Sequence, residues 1–121
     1  MAHILLIDDD ASVRKLFEHI LTGVGHEVTT LEDGTDAARI VERGDVDLVI
    51  TDLIMPGQEG MATIEQLRRG WPDLPIIAIS GGGRLSALDL LPVARGLGAN
   101  ATLPKPVSVS TLRDAVDALV R

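Results

Sequence analysis

HILLIDDD, residues 3–10, is an unbroken apolar run that stops on three aspartates. Four apolar side chains in a row, without alternation, describe a strand covered on both faces, as in a parallel sheet flanked by helices. Directly after it, Val13, Leu16, Phe17, Ile20, Leu21 and Val24 recur at i, i+3, i+4, i+7, i+8 and i+11. That is the apolar stripe of an amphipathic helix. Asp10 can cap its start, and Gly23 or Gly25 can end it. A strand that runs straight into a helix is half of a βαβ crossover.

The same unit recurs along the chain. Further strands are expected at Glu27–Leu31, Asp47–Thr51, Pro75–Ser80 and Ala101–Leu103. EVTTL (27–31) is the more polar and reads as an edge strand. Ala37, Ile40 and Val41 mark a second helix, between Asp33-Gly34 and Gly44. Met61, Ile64 and Leu67 mark a third, ending near Gly70. Val109, Leu112, Val116, Leu119 and Val120 mark the last, with Ser108 or Ser110 as its cap. Between the last two strands, Gly81–Gly83 disfavour a helix, and Pro92 suits only a first turn. A loop is expected through Gly81–Ala87, then a short helix from near Asp89 to near Leu97. Five βα units with right-handed crossovers predict an α/β fold: a doubly wound, five-stranded parallel sheet with helices on both faces, flavodoxin-like (βα)5.

Length and composition agree with one such domain over residues 1–121. The 121 residues are 45% apolar, and the mean hydropathy of +0.24 excludes intrinsic disorder. The absence of cysteine excludes disulfide scaffolds, thiolate nucleophiles and Cys-bound metal centres. Eleven Lys and Arg against 18 Asp and Glu give a net charge of −7, which argues against binding a nucleic-acid backbone. Phe17 and Trp71 are the only aromatic residues, too few for a base-stacking platform. No apolar run approaches a membrane span, and Met1-Ala2-His3 does not open a signal peptide. A cytoplasmic location is expected.

In doubly wound sheets, ligands bind outside the carboxyl ends of the strands, where the strand order reverses. Those ends carry Asp8, Asp9 and Asp10 after the first strand, Asp52 after the third, Ser80 after the fourth, and Lys105-Pro106 after the fifth. Taken singly, each has an ordinary reading. A DDD run before a helix is usually a cap plus solvated charges, and a lone Asp or Ser is usually a turn residue. Together they are costly for stability, because clustered carboxylates repel unless a cation joins them. Mg2+ suits them as a hard ion that prefers oxygen ligands and keeps several waters. Carboxylates around an open metal face describe a phosphoryl-transfer site, with an aspartate as nucleophile forming an acyl phosphate. Lys105 would pair with a phosphate oxygen, and the Ser80 hydroxyl would donate to another. Asp10 is read as the helix cap and left outside the site.

ILLIDDD (4–10), TDLIMPGQEG (51–60), IIAISGGG (76–83) and LPKPV (103–107) together resemble the receiver domains of two-component response regulators. The resemblance runs from His3 to the last helix. It implies Asp52 as the phosphoacceptor and Asp8, Asp9, Asp52 and the backbone carbonyl of Ile54 around Mg2+. Within that set Asp9 would be a direct ligand, and Asp8 would act mainly through water. It further implies Ser80 turning toward the phosphoryl group, Lys105 contacting it, and Pro106 following a cis peptide bond. The chain departs from the family at Thr102, where many receivers carry Tyr or Phe; an aromatic switch is impossible there. Readout is therefore expected through Ser80 and a glycine-rich loop, Gly81–Gly83, mobile until phosphorylation orders it, with the 81–105 surface changing for a partner.

The implied donor is a phosphohistidine on a histidine kinase or histidine phosphotransfer protein, docking on the first helix. Some of Val13, Leu16, Phe17, Ile20 and Leu21 are candidates for exposure there. His3, His19 and His26 are read as structural or surface residues. Arg84, Arg95, Arg113 and Arg121 are candidates for an acidic partner. No output segment follows the last helix, so if the chain is complete a single-domain receiver acting through protein contacts or as a phosphate relay is expected, and the Met1 start favours a whole protein. The domain is expected to be no turnover enzyme, but a phosphoacceptor that assists its own phosphorylation and dephosphorylation. The alternatives are a pseudo-receiver that only binds partners and a receiver excised from a hybrid kinase. An aspartyl phosphatase would need a second Asp two residues after the nucleophile, where Ile54 stands. A flavodoxin-like cofactor site would need a Ser, Thr and Gly loop where this chain has DDD.

Overall fold

A computed structural model describes residues 2–53, 60–80, 92 and 94–120. The elements follow in the order β1 (His3–Ile7), α1 (Ala11–Gly23), β2 (Glu27–Leu31), α2 (Ala37–Glu42), β3 (Leu48–Asp52), α3 (Gly60–Gly70) and β4 (Ile76–Ser80). A short helical stretch at 94–97, α4, precedes β5 (Ala101–Pro104) and α5 (Val109–Leu119). All four strand pairings are parallel, and the sheet order is β2-β1-β3-β4-β5. The order reverses between β1 and β3, so the crevice expected of a doubly wound sheet opens at their carboxyl ends.

The continuous apolar runs are explained by two cores, one on each face. Leu5, Ile7, Val49, Ile76 and Ala78 pack with Ala37 and Val41 of α2 and with Ile64 and Leu67 of α3. Ile4, Leu6, Leu48, Ile50, Ile77 and Ile79 pack on the other face with Phe17 and Leu21 of α1 and with Leu112 and Val116 of α5. Every residue of β3 and β4 is buried, whereas β2, at one edge, is only half-buried. An edge strand has one neighbour and less cover, which is what the polar EVTTL sequence fits.

Local signals place the helices. Asp10 has extended backbone, and its Oδ1 accepts from the Ser12 N–H at 2.8 Å and the Val13 N–H at 3.3 Å, capping α1. Helix α1 ends at Gly23, and Gly25 follows with φ +98°, a left-handed geometry that glycine adopts without strain. Ser108, not Ser110, caps α5, its Oγ accepting from the Thr111 N–H at 3.1 Å. The third strand lies one residue later than the expected 47–51. Asp47 turns its side chain to the His3 N–H, and Asp52 stays in register with Ile79. The fourth strand starts at Ile76, because Pro75 has no N–H to give the ladder. The expected loop 81–87 and the start of the helix from residue 89 lie outside the described residues; its end near Leu97 agrees with the helical stretch at 94–97.

Candidate phosphoacceptor and metal site

Register alone brings the carboxylates together. Ile7 of β1 is paired with Thr51 of β3. The next residue on each strand is an aspartate, so Asp8 and Asp52 emerge side by side at the reversal point. Carboxylate oxygens of Asp8, Asp9 and Asp52 come within 4.8 Å of one another. Asp8 is 1% exposed and Asp52 7%, while Asp9 is exposed and opens the cluster to solvent.

One cation sits on two of them. Lys105 Nζ donates to Asp8 Oδ2 and to Asp52 Oδ2, each at 3.0 Å. The lysine reaches there because Ser80 is in register with Pro104, and the Lys105 N–H donates to the Ser80 carbonyl at 2.8 Å. Burial of the ammonium works to lower its pKa. Hydrogen bonds and charge from Asp52 and Asp8 outweigh that, and Lys105 is held above the ordinary lysine value. The lysine therefore stays charged and offsets the repulsion between the buried carboxylates.

Ser80 is fully buried, and its Oγ has no hydrogen-bond partner among the described residues. A buried hydroxyl left unpaired is destabilising by roughly 1–3 kcal/mol. The oxygen-only donor set, with one solvent-facing carboxylate, fits a hard divalent cation that retains water. Mg2+ therefore fits the residues present, with Asp8, Asp9 and Asp52 to hold it.

The structure thus brings together Asp8, Asp9, Asp52 and Lys105, with Ser80 at the end of the neighbouring strand. The Lys105–Pro106 peptide bond is cis. The Ile54 carbonyl and Gly81–Gly83 lie outside the described residues. His3, His19 and His26 stand apart from the site. His3 meets Thr29 Oγ1 and the Asp45 carbonyl, and His26 Nδ1 accepts the Ala2 N–H. On α1, Phe17 and Leu21 are core, Val13 and Ile20 are half-buried, and Leu16 is 53% exposed.

Two contributors were missed in the sequence. Asp10 is more than a cap: its backbone N–H donates to Asp8 Oδ1 at 2.9 Å and aims that carboxylate. Gly60 packs its α-carbon against the backbone of Asp52 and Leu53. An added Cβ would collide with the Asp52 carbonyl oxygen and lie 2.7 Å from Leu53 Cα. The available signal was a glycine at the start of the Met61, Ile64, Leu67 stripe.

Comparison with known proteins agrees with this geometry. Residues 4–117 match the family model described as response regulator receiver domain. The chain is 36% identical over 116 residues to the transcriptional regulatory protein GlrR of Escherichia coli K12, covering 96% of this chain and 26% of GlrR. It is 34% identical over 112 residues to the DNA-binding transcriptional regulator NtrC of Klebsiella pneumoniae, covering 93% of this chain and 23% of NtrC. The chain thus spans about a quarter of the length of these curated relatives. Among solved structures, a response regulator receiver domain protein from Clostridium thermocellum superposes with a TM-score of 0.90 at 31% identity, covering 99% of this chain and 94% of that one. The receiver domain of NtrX from Brucella abortus gives 0.88 at 28% identity, covering 97% of each chain.

Proposed function

The chain belongs to the response regulator receiver domain family of two-component signalling, and from that premise we propose that Asp52 accepts a phosphoryl group with Mg2+ bound beside it. The observation that carries this reading is the Lys105 ammonium bridging Asp8 and Asp52 at 3.0 Å, with Ser80, whose hydroxyl has no partner among the described residues, ending the strand that pairs with both β3 and β5. When bound, Mg2+ supplies positive charge that offsets repulsion between the carboxylates and the incoming phosphoryl oxygens. Asp8, Asp9 and Asp52 would hold it, together with the Ile54 carbonyl that family resemblance implies.

The remaining work falls to the chain's own residues. A carboxylate oxygen of Asp52 attacks phosphorus and forms an acyl phosphate. The phosphorus–nitrogen bond of a phosphohistidine breaks, and its electron pair stays on the imidazole nitrogen. Lys105 neutralises a phosphoryl oxygen, and the Ser80 hydroxyl donates to another. Ser80 precedes the 81–105 stretch, so its engagement supports a change of that surface as the output. The donor is a histidine kinase or histidine phosphotransfer protein, and the exposed Leu16 of α1 is part of the face that meets it. Asp52 is modified in the process, so the domain is a signalling reactant that assists its own phosphorylation and dephosphorylation rather than a turnover enzyme.

Other expectations take a narrower form. No helix among the described residues is long and apolar enough to cross a membrane. The expected lack of nucleic-acid contact concerns this domain's surface alone, since the NtrC relative that it matches over 23% of its length is named a DNA-binding regulator.

Intact-mass measurement with Mg2+ and a small acyl-phosphate donor tests the function. The native chain is expected to gain one phosphoryl group and Asp52→Asn none. No gain in the native chain, or an equal gain in both, overturns the assignment.

A further inference from the structure

Arg14 lies in the first turns of α1, and its guanidinium turns back on the strand that precedes the helix. Its Nη1 donates to the backbone carbonyl of Asp8 at 2.7 Å. The helix holds the arginine in place through its own N–H, which donates to the Asp10 carbonyl at 3.0 Å. With this contact, every polar atom of Asp8 has a protein partner. Its N–H donates to the Leu31 carbonyl at 3.1 Å, Oδ1 accepts from the Asp10 N–H, and Oδ2 accepts from Lys105.

The carbonyl that Arg14 grips belongs to the peptide linking Asp8 to Asp9. Asp9 is exposed, and its carboxylate has no hydrogen-bond partner among the described residues. The backbone that carries it sets where its Cα–Cβ bond starts. Pinning that peptide plane therefore restricts the rotamers through which the Asp9 carboxylate reaches the cluster.

We propose that Arg14 is a positioning residue for the metal site, holding the Asp8–Asp9 peptide so that the solvent-facing Asp9 carboxylate converges with Asp8 and Asp52 on Mg2+. The inference rests on the proposed function and adds to it a cation that acts through the backbone. It carries a sign that distinguishes it from a simple charge effect. By Coulomb's law, removing a positive charge near the site tightens cation binding. Losing a positioning contact weakens it, and loss of such outer partners typically lowers metal affinity about 10- to 100-fold.

The test measures Mg2+ binding to the full chain by calorimetry, and in parallel the Mg2+ dependence of phosphoryl gain from an acyl-phosphate donor. Arg14→Ala is expected to raise the Mg2+ concentration for half-saturation roughly tenfold. The phosphorylation rate at saturating Mg2+ is expected to stay within about twofold of native, since Arg14 does not reach the reacting oxygen. Arg14→Lys, which keeps a donor and a charge, is expected to recover part of the loss; it also serves if the alanine variant fails to fold. Half-saturation unchanged or lowered in Arg14→Ala overturns the inference, whatever happens to thermal stability. If Arg14→Lys alone folds, half-saturation equal to native in that variant, with its shorter reach, overturns it as well. A native chain that binds Mg2+ but takes no phosphoryl group overturns the functional reading alone, and calorimetry then decides the role of Arg14. A native chain that binds no Mg2+ overturns both.

Discussion

Lys105 stands between two carboxylates that would otherwise face each other with almost no water to screen them, Asp8 at 1% and Asp52 at 7% exposure. Removing one partner of a buried ion group leaves uncompensated charge, which costs about 3–5 kcal/mol. Lys105→Met is therefore expected to lower the unfolding free energy by about 3 kcal/mol without Mg2+, and by clearly less with saturating Mg2+, as chemical denaturation would show. The lysine pKa is raised in the folded chain. The stability it contributes is thus fully present below the unfolded lysine value and fades as pH climbs through the folded one. Thermal melts are expected to show a decline in the native chain in that alkaline window, with the contribution missing in Lys105→Met. Asp9 behaves differently, because it is exposed and its carboxylate makes no hydrogen bond among the described residues. Asp9→Ala is expected to change stability by no more than about 0.5 kcal/mol while abolishing the stabilisation that Mg2+ gives the native chain. The residue types at these positions were legible in the sequence, because each follows an apolar run. That one ammonium would serve Asp8 and Asp52 together was not, since this depends on the stagger of β5 against β4.

At the scale of elements, the start of α3 is coupled to the end of β3. Gly60 approaches the Asp52 backbone so closely that a methyl group has no room. Gly60→Ala is expected to destabilise the chain by about 2–3 kcal/mol. Because the strain falls on the Asp52 backbone, phosphoryl gain per folded molecule should drop as well; intact mass read alongside far-UV dichroism separates the two effects. The α1 cap is a simpler case. Asp10→Ala removes the side-chain acceptor for the Ser12 and Val13 N–H groups but keeps the backbone N–H that aims Asp8. A loss of about 1 kcal/mol is expected in denaturant unfolding. Helix stripes and caps were readable because they are local: the spacing of Val13, Phe17 and Ile20, an aspartate before the first turn, a serine before Val109. Strand ends were less so. A ladder stops where its neighbour stops, which is why β3 runs to Asp52 rather than Thr51.

For the whole molecule, the sheet separates two cores and gathers Asp8, Asp9, Asp52 and Lys105 at one rim. A ligand that binds only the folded state stabilises it by mass action, by about 2.7 kcal/mol at a hundredfold excess over Kd. Mg2+ binding at this rim should therefore reach the entire cooperative unit. Mg2+ in such excess is expected to raise the thermal midpoint of the native chain, and a chelator to return it; equal midpoints in both conditions would count against metal binding at this site.

The sequence by itself determined the alternation of strand and helix, the burial of both sheet faces, and the chemistry at the strand ends, because these follow from side-chain periodicity and residue type. It named Asp8, Asp9, Asp52, Ser80 and Lys105 for that reason. Tertiary structure alone decided which groups touch. The pairing of Ile7 with Thr51 sets two aspartates shoulder to shoulder, the stagger of β5 delivers Lys105 to both, and Arg14 closes back on Asp8 from the next helix. Contacts across strands depend on register, and register is fixed by the packing of the whole sheet rather than by any one segment.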